Sequence, residues 1–378
     1  MEVLFWGSLA LIVYAYVGYP CALAILAWLA SRPVHKRRFG ADAPGVSIVV
    51  AARNEARRLP ARLENLLAQD YPGPKQLIVV SDGSSDGTVD ALLPFADRVD
   101  VLEIPASGKA VALNAAVAHA RHGILVFADA RQSFAPDALS ELIANFADPS
   151  VGGVTGELVL DCEGSGEASR ASDVGEGVGL YWQYEKWIRR QESLLHSMPG
   201  ATGAIYALRR HLWRPLPAGT LLDDVLAPMR AVLGGHRMIF DDAARAYDRV
   251  SADADEEQRR KVRTVAGNYQ ILALEPRLLS PFHNPIWLQY LSHKVLARLV
   301  VPYALIACLV ASAVLTPASP IYALAFGAQL AFYALALYGA TMKGLLTRAA
   351  RVAYAFVVMN AASVQALVAV ARGRTYWR

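Results

Sequence analysis

A chain of 378 residues that is 54% hydrophobic and only 19% charged, with a mean hydropathy of +0.28, is more apolar than a soluble domain, which carries about 25% charged residues. It also has too much core material to be disordered. Its formal net charge of +4, from 37 Lys and Arg against 33 Asp and Glu, is too small a bias to mark a nucleic-acid partner, and Cys21, Cys162 and Cys308 form no cluster that suggests a disulfide framework or a zinc site.

Val3 to Ala30 carries no charge and exceeds the roughly 20 helical residues that cross a hydrocarbon core. A cleaved signal peptide has a basic start and a run of about 7–15 apolar residues, so residues 1–31 are expected to form a retained N-terminal transmembrane helix. Arg32, His35, Lys36, Arg37 and Arg38 follow it, which places its end, and the body beyond it, in the cytoplasm.

Residues 45–272 change character. Val46–Ala52, Gln76–Ser81, Val99–Ile104 and Gly123–Ala128 read as short buried strands, with helical spacing over Leu59–Gln69, Thr88–Ala96, Gly108–Ala120 and Pro136–Phe146. The alternation predicts an α/β domain with a parallel sheet covered by helices. An amphipathic helix from about Val174 to His196 carries Tyr181, Trp182, Tyr184 and Trp187, suited to packing, to sugar or to a membrane interface. A further amphipathic segment runs to about residue 298. Over 299–371 come three apolar segments, Leu299–Leu315, Pro320–Met342 and Val352–Ala371. The uncharged link Thr316–Ser319 is expected outside, whereas Lys343, Arg348 and Arg351 are expected inside. For the third segment, crossing would carry Arg372, Arg374 and Arg378 outward, and Asn360, Ser363 and Gln365 make it the most polar. Spanning and re-entrant or interfacial placements both stay open.

In open α/β sheets ligands bind beyond the carboxyl ends of strands. There the chain has Arg53-Asn54-Glu55, then Asp82-Gly83-Ser84-Ser85-Asp86-Gly87-Thr88, then Asp129-Ala130-Arg131. An acidic residue beside glycines suits a base or ribose, and Lys109 after Gly108 supplies a point charge for phosphate. Each alone reads equally well as a turn, a cap or a solvated lysine.

Taken in order, Val46–Glu55, Asp82–Asp86, Gly108-Lys109-Ala110 with Leu113-Asn114, Phe127-Ala128-Asp129-Ala130, Gly200–Arg210 and Leu222-Asp223-Asp224-Val225 resemble family 2 inverting glycosyltransferases of the GT-A (Rossmann-like) fold. The membrane-embedded branch, with hyaluronan, cellulose, chitin-oligosaccharide and poly-N-acetylglucosamine synthases, is most similar. The resemblance implies that Glu55 and Asp82 grip the nucleotide, that Lys109 and Asp129 face the nucleotide sugar, most simply a UDP-sugar, that Gly203 belongs to the acceptor side beside Asp223, and that Asp224 is the general base. It further implies a β-linked glycan or lipid-linked acceptor, an enzyme integral to a bacterial inner membrane and a cytoplasmic catalytic domain.

Two departures matter. Where the family has a second aspartate for Mg²⁺ or Mn²⁺ this chain has Arg131, so either Asp129 holds the metal with other acids or Arg131 pairs with the diphosphate. The family's Gln-x-x-Arg-Trp motif falls in Gln258–Gln270 without any tryptophan. Alignment on Gly267 and Gln270 gives Arg260, Arg263 and Thr264 in its place, with Arg260 and Arg263 available to the leaving diphosphate; alignment on Gln258 gives Lys261 and Val262. The missing aromatic leaves chain extension and single transfer to a lipid acceptor both open, and Arg131 adds an impaired binding subunit as a third reading.

Overall fold

The computed structural model describes residues 1–161, 173–249, 254–341 and 348–372. Cys162, Lys343, Arg374 and Arg378 lie outside the described residues, and the side chains of Tyr181 and Arg348 are not described.

The first apolar run is one helix, α1 (Glu2–Ala30), with a π-helical turn at Tyr14–Gly18. Then come β1 (Val46–Ala52), α2 (Leu59–Leu67), β2 (Lys75–Asp82), β3 (Asp100–Ile104), α3 (Lys109–His119), β4 (Ile124–Ala128), β5 (Ser133–Phe134) and α4 (Ala138–Ala144). β6 (Val151–Asp161), α5 (Asp173–Leu195), β7 (Ile205–Arg209), α6 (Asp223–Leu233), β8 (Arg237–Arg249) and α7 (Ala254–Leu274) complete the body. The helix expected over Thr88–Ala96 is a 3-10 turn, Asp90–Phe95, because Pro94 cannot donate within an α-helix.

All eight strands form one sheet in the order β3-β2-β1-β4-β7-β6-β8-β5. Four are parallel, as expected, but β7 runs antiparallel to β4 and β6, and β5 antiparallel to β8. The sheet is therefore mixed. The central strands β1 and β4 are largely apolar because both faces are covered: Ile48 and Val50 enter one core and Val49 the other.

Among the described residues, four helices are long and apolar enough to cross a membrane: α1, α8 (Trp287–Leu315), the helix α9 (Pro320–Thr341) and α10 (Arg348–Ala371), whose apolar stretch is Ala349–Val370. α10 is unbroken, and two of its polar residues are engaged with protein. Gln365 Oε1 accepts from Gln258 Nε2 of α7 at 2.9 Å, and Ser363 is buried.

α5 ties these helices to the body through a buried polar cluster. Tyr19 of α1 donates to Glu192 (2.6 Å). His293 of α8 lies between Glu192 (2.9 Å) and Glu185 (3.1 Å), and Arg298 donates to Glu185 at 2.9 Å. Burial works against charge on Glu185, yet Arg298 and His293 outweigh it and hold its carboxyl well below the ordinary range.

Candidate active site

The loops that leave β1 and β2 are laced together. Asn54 sits at φ +56°, a left-handed conformation that asparagine tolerates, and its Oδ1 accepts from the Ser85 N–H at 2.9 Å. The Glu55 N–H donates to Thr88 Oγ1 (3.0 Å), while its carboxylate takes Arg58 Nη1 (3.1 Å) and keeps 22% of the side chain exposed. Asp82, the last residue of β2, is buried. Sequence reasoning sent its carboxylate to a nucleotide, but here Oδ1 accepts the N–H of Ser107 (2.6 Å) and both oxygens accept that of Gly108 (3.1 and 3.0 Å). Asp82 thereby fixes the entry into α3, where Lys109 stands first. Asn114, one turn on, clamps the Leu216 backbone at 2.9 Å through both ends of its amide.

Lys109 Nζ lies 3.1 Å from Asp129 Oδ1 and 3.3 Å from Asp223 Oδ1. Burial pulls its ammonium down, but Asp129 and Asp223 prevail and leave its pKa above the ordinary value. Lys109 thus joins the end of β4 to the start of α6. Asp224 Oδ2 accepts the Gly203 N–H at 3.1 Å. A side chain at 203 would set its Cβ 3.0 Å from that oxygen, so any larger residue there has to push the carboxylate back. Burial, then the neighbouring Asp223, push the Asp224 carboxyl up to about 6, with Lys109 and Lys294 pulling the other way. A carboxylate of that kind takes up a proton near neutral pH.

Several neighbours had no role assigned from sequence. Thr155 Oγ1 accepts from the Thr202 N–H (2.9 Å), and Arg189 Nη1 donates to Thr202 Oγ1 (2.9 Å), bracing the turn before Gly203. Arg189 is itself held by Glu185. Tyr206 stacks on Phe127 with centroids 4.5 Å apart, and its buried hydroxyl lacks a partner. Burial, then Asp223, Asp224 and Asp129, raise its pKa well above the ordinary value. The one sequence signal for Arg189 is its place four residues after Glu185 on a helix.

Arg131 is committed inside the protein, against the second of the two arrangements weighed for it, a pairing with the diphosphate. Its guanidinium pairs with the buried Asp248 of β8, which also accepts Gln132 Nε2 at 3.0 Å. Arg131 is thus engaged by the protein. Of the α7 residues, Arg263 is exposed and Arg260 half-buried, and neither meets the Lys109 group in a hydrogen bond or ion pair described here. α7 reaches the acid loop through Gly267 and Gln270. A Cβ at 267 would lie 2.4 Å from Leu222, and Gln270 Oε1 accepts the Leu221 N–H at 2.9 Å.

Among the described residues no three His, Cys, Asp or Glu side chains form a cation cage. Asp129 gives only Oδ1 to Lys109 and keeps 38% of its side chain exposed. Mg²⁺ commonly takes one or two carboxylates and completes its shell with phosphates and water, so this donor set fits an ion shared with a diphosphate.

A model described as glycosyl transferase family 2 matches residues 47–214. An N-acetylglucosaminyltransferase of Rhizobium leguminosarum bv. trifolii is 33% identical over 123 residues, 31% of this chain and 68% of that protein. The poly-beta-1,6-N-acetyl-D-glucosamine synthase of Staphylococcus aureus (strain COL) is 23% identical over 239 residues, 60% of this chain. The chain covers 55% of that relative's length. Among solved structures, a mannosyltransferase from Pyrobaculum calidifontis in complex with GDP-Man and Mn²⁺ superposes with a TM-score of 0.73 and 24% identity, covering 97% of this chain and 98% of that one. The mixed sheet, the acids and lysine gathered at its strand ends and these likenesses together make the chain a glycosyltransferase of family 2.

Proposed function

We propose that this protein is a membrane-integrated inverting glycosyltransferase that moves a sugar, most simply from a UDP-sugar, onto a growing β-linked glycan. The observation that carries this reading is the half-buried Asp224 carboxylate, set on the Gly203 N–H beside the Lys109 ion pairs. The acceptor hydroxyl attacks the anomeric carbon opposite the diphosphate. Its proton passes to Asp224, the new C–O bond forms, and the old one breaks with its electron pair leaving on the nucleoside diphosphate. Lys109 stabilises the charge that gathers there, and Asp82 holds Lys109 in place through the Gly108 backbone. Glu55 lies on the nucleotide side, Asp223 fixes Lys109 from the acceptor side, and Arg260 and Arg263 stand on the helix that supports the acid loop. Asp129 would hold Mg²⁺ or Mn²⁺, which supplies further charge neutralisation of the diphosphate.

Single transfer to a lipid acceptor is the second reading. Thr264, at the family's tryptophan position in one alignment, is exposed and only bonds back to Arg260 O at 3.0 Å, so α7 offers no aromatic platform there.

The test is release of nucleotide from a panel of UDP- and GDP-sugars by the full-length protein in detergent, with the product anomer read by NMR. Acceptor-stimulated release and an inverted anomer are expected; no release from any donor overturns the reading.

Residues 1–31 form the N-terminal membrane helix in this reading, 45–272 the cytoplasmic catalytic domain with its amphipathic extension to about 298, and 299–371 the C-terminal membrane segments, in a bacterial inner membrane. α10 lies along the cytoplasmic interface with α7 and α5, which spares Arg372 a crossing. With the native cysteines replaced by serine, Ser319→Cys should react with an impermeant thiol reagent on intact cells, whereas Asp97→Cys and Arg372→Cys should not. Labelling at 97 reverses the orientation, and labelling at 372 makes α10 a span.

A further inference from the structure

Arg62 of α2 is a cation in the wrong place for a cation. It is 3% exposed and shares the apolar face of its helix with Leu59, Leu63 and Leu66. Its Nε donates to the backbone oxygen of Asp129 (3.1 Å) and its Nη1 to Asn65 Oδ1 (2.6 Å), while the guanidinium lies 4.3 Å over the Phe134 ring. Its Nη2 is buried without a partner. Among the described residues no carboxylate comes within ion-pair distance of it. Burial lowers its pKa to about 9, with Asp129 the one charge that opposes the fall, so it stays protonated at neutral pH.

A buried charge without a counter-ion is strongly unfavourable, and the nearby acids do not supply one. Asp129 is already paired with Lys109, Asp223 likewise, and Asp248 is paired with Arg131. Arg62 is therefore the surplus positive charge directly behind the residue that faces the donor. The Asn65 amide extends the hold: its Oδ1 also accepts the Phe134 N–H (2.8 Å) and its Nδ2 donates to Phe134 O (2.9 Å). Both ends of the segment from Asp129 to Phe134 are thus tied to α2.

We propose that Arg62 is a fixed cation of the donor site, its counter-ion being the diphosphate of the bound nucleotide sugar, and that it takes the electrostatic part which the sequence suggested for Arg131. The proposal rests on the functional reading above. It makes Arg62 a positioning residue that acts through the Asp129 backbone and through its charge, without touching the sugar.

A merely structural arginine and a diphosphate counter-ion differ in one readout, the dependence of binding on phosphate number. Uridine, UMP and UDP, with the guanosine series in parallel, are titrated by calorimetry into the full-length wild type, Arg62→Lys and Arg62→Met in detergent. Expected for Arg62→Met is a loss of roughly 10–100-fold for the diphosphate, the range of a charge-assisted contact, a smaller loss for the monophosphate and none for the nucleoside, with Arg62→Lys recovering part. If Arg62→Met does not fold, Asn65→Asp neutralises the guanidinium in place and should give the same graded loss. Equal loss across the three ligands, or an unchanged diphosphate affinity, overturns the inference and leaves the functional reading standing. A wild type that binds neither diphosphate better than its nucleoside overturns that reading and the inference with it.

Discussion

Asp224→Asn is expected to bind donor about as well as wild type and to lose roughly 10²–10⁴-fold in turnover, the usual cost of removing a general base. The amide keeps the size of the carboxylate and still offers an oxygen to the Gly203 N–H, but it cannot take the acceptor's proton. In the wild type the pH profile follows from the raised carboxyl. With a pKa of about 6 the base is ionised and the rate level above that pH, and the rate falls about tenfold per unit below it. For stability the sign is opposite to that of a salt-bridged acid. Because the folded pKa lies above the unfolded one, the charged form is the penalised form. Stability from this group is therefore greatest below about pH 4 and declines as pH rises to about 6. Turnover and calorimetry on one preparation check the first statement, and a pH-rate profile the second. Retained turnover in Asp224→Asn would take the residue out of the mechanism.

Lys109→Met should be the more damaging change to the fold. It strips Asp129 and the buried Asp223 of their shared cation at once. Breaking a buried pair costs about 3–5 kcal/mol, and the low end applies because Lys109 keeps 25% of its side chain exposed. The melting temperature should fall accordingly. The change also removes a positive charge that holds the Asp224 pKa down, so the pH-rate limb of any residual activity should move upward. Lys109→Arg should recover much of the stability and little of the rate, since a planar fork cannot reproduce a point charge between two oxygens. An unshifted melt in Lys109→Met would mean that the Lys109 ion pairs do not stabilise the fold.

The parallel half of the sheet was legible because its central strands are buried on both faces and so read as largely apolar runs, as in Val46–Ala52. β8 was not legible. Arg237–Arg249 contains Asp241, Asp242, Arg245 and Asp248, and strand direction leaves no trace in local composition. Lys109, Asp129 and Asp223 come together because their motifs stand at the ends of neighbouring elements. What could not be read was the destination of side chains. Asp82 turns inward to a backbone 25 residues on, and Arg131 finds an aspartate 117 residues away. Arg62 did leave a signal, a charge at core spacing between leucines, but its meaning depends on which loop packs above it.

The hydrogen-bonded cluster on α5 has a consequence for how the protein can be handled. From Tyr19 through Glu192, His293, Glu185 and Arg189 to Thr202, consecutive contacts of 2.6 to 3.4 Å lead from the first apolar helix to the turn that presents Gly203 to the base. Anchorage and chemistry therefore share atoms. Excising residues 45–272 as a water-soluble fragment would leave Glu185 and Glu192 in an apolar setting without His293, Arg298 or Tyr19, and the turn would lose the strut behind Arg189. On the functional reading proposed above, a lipid or detergent that loosens α1 from α8 should lower the catalytic rate before it lowers donor affinity.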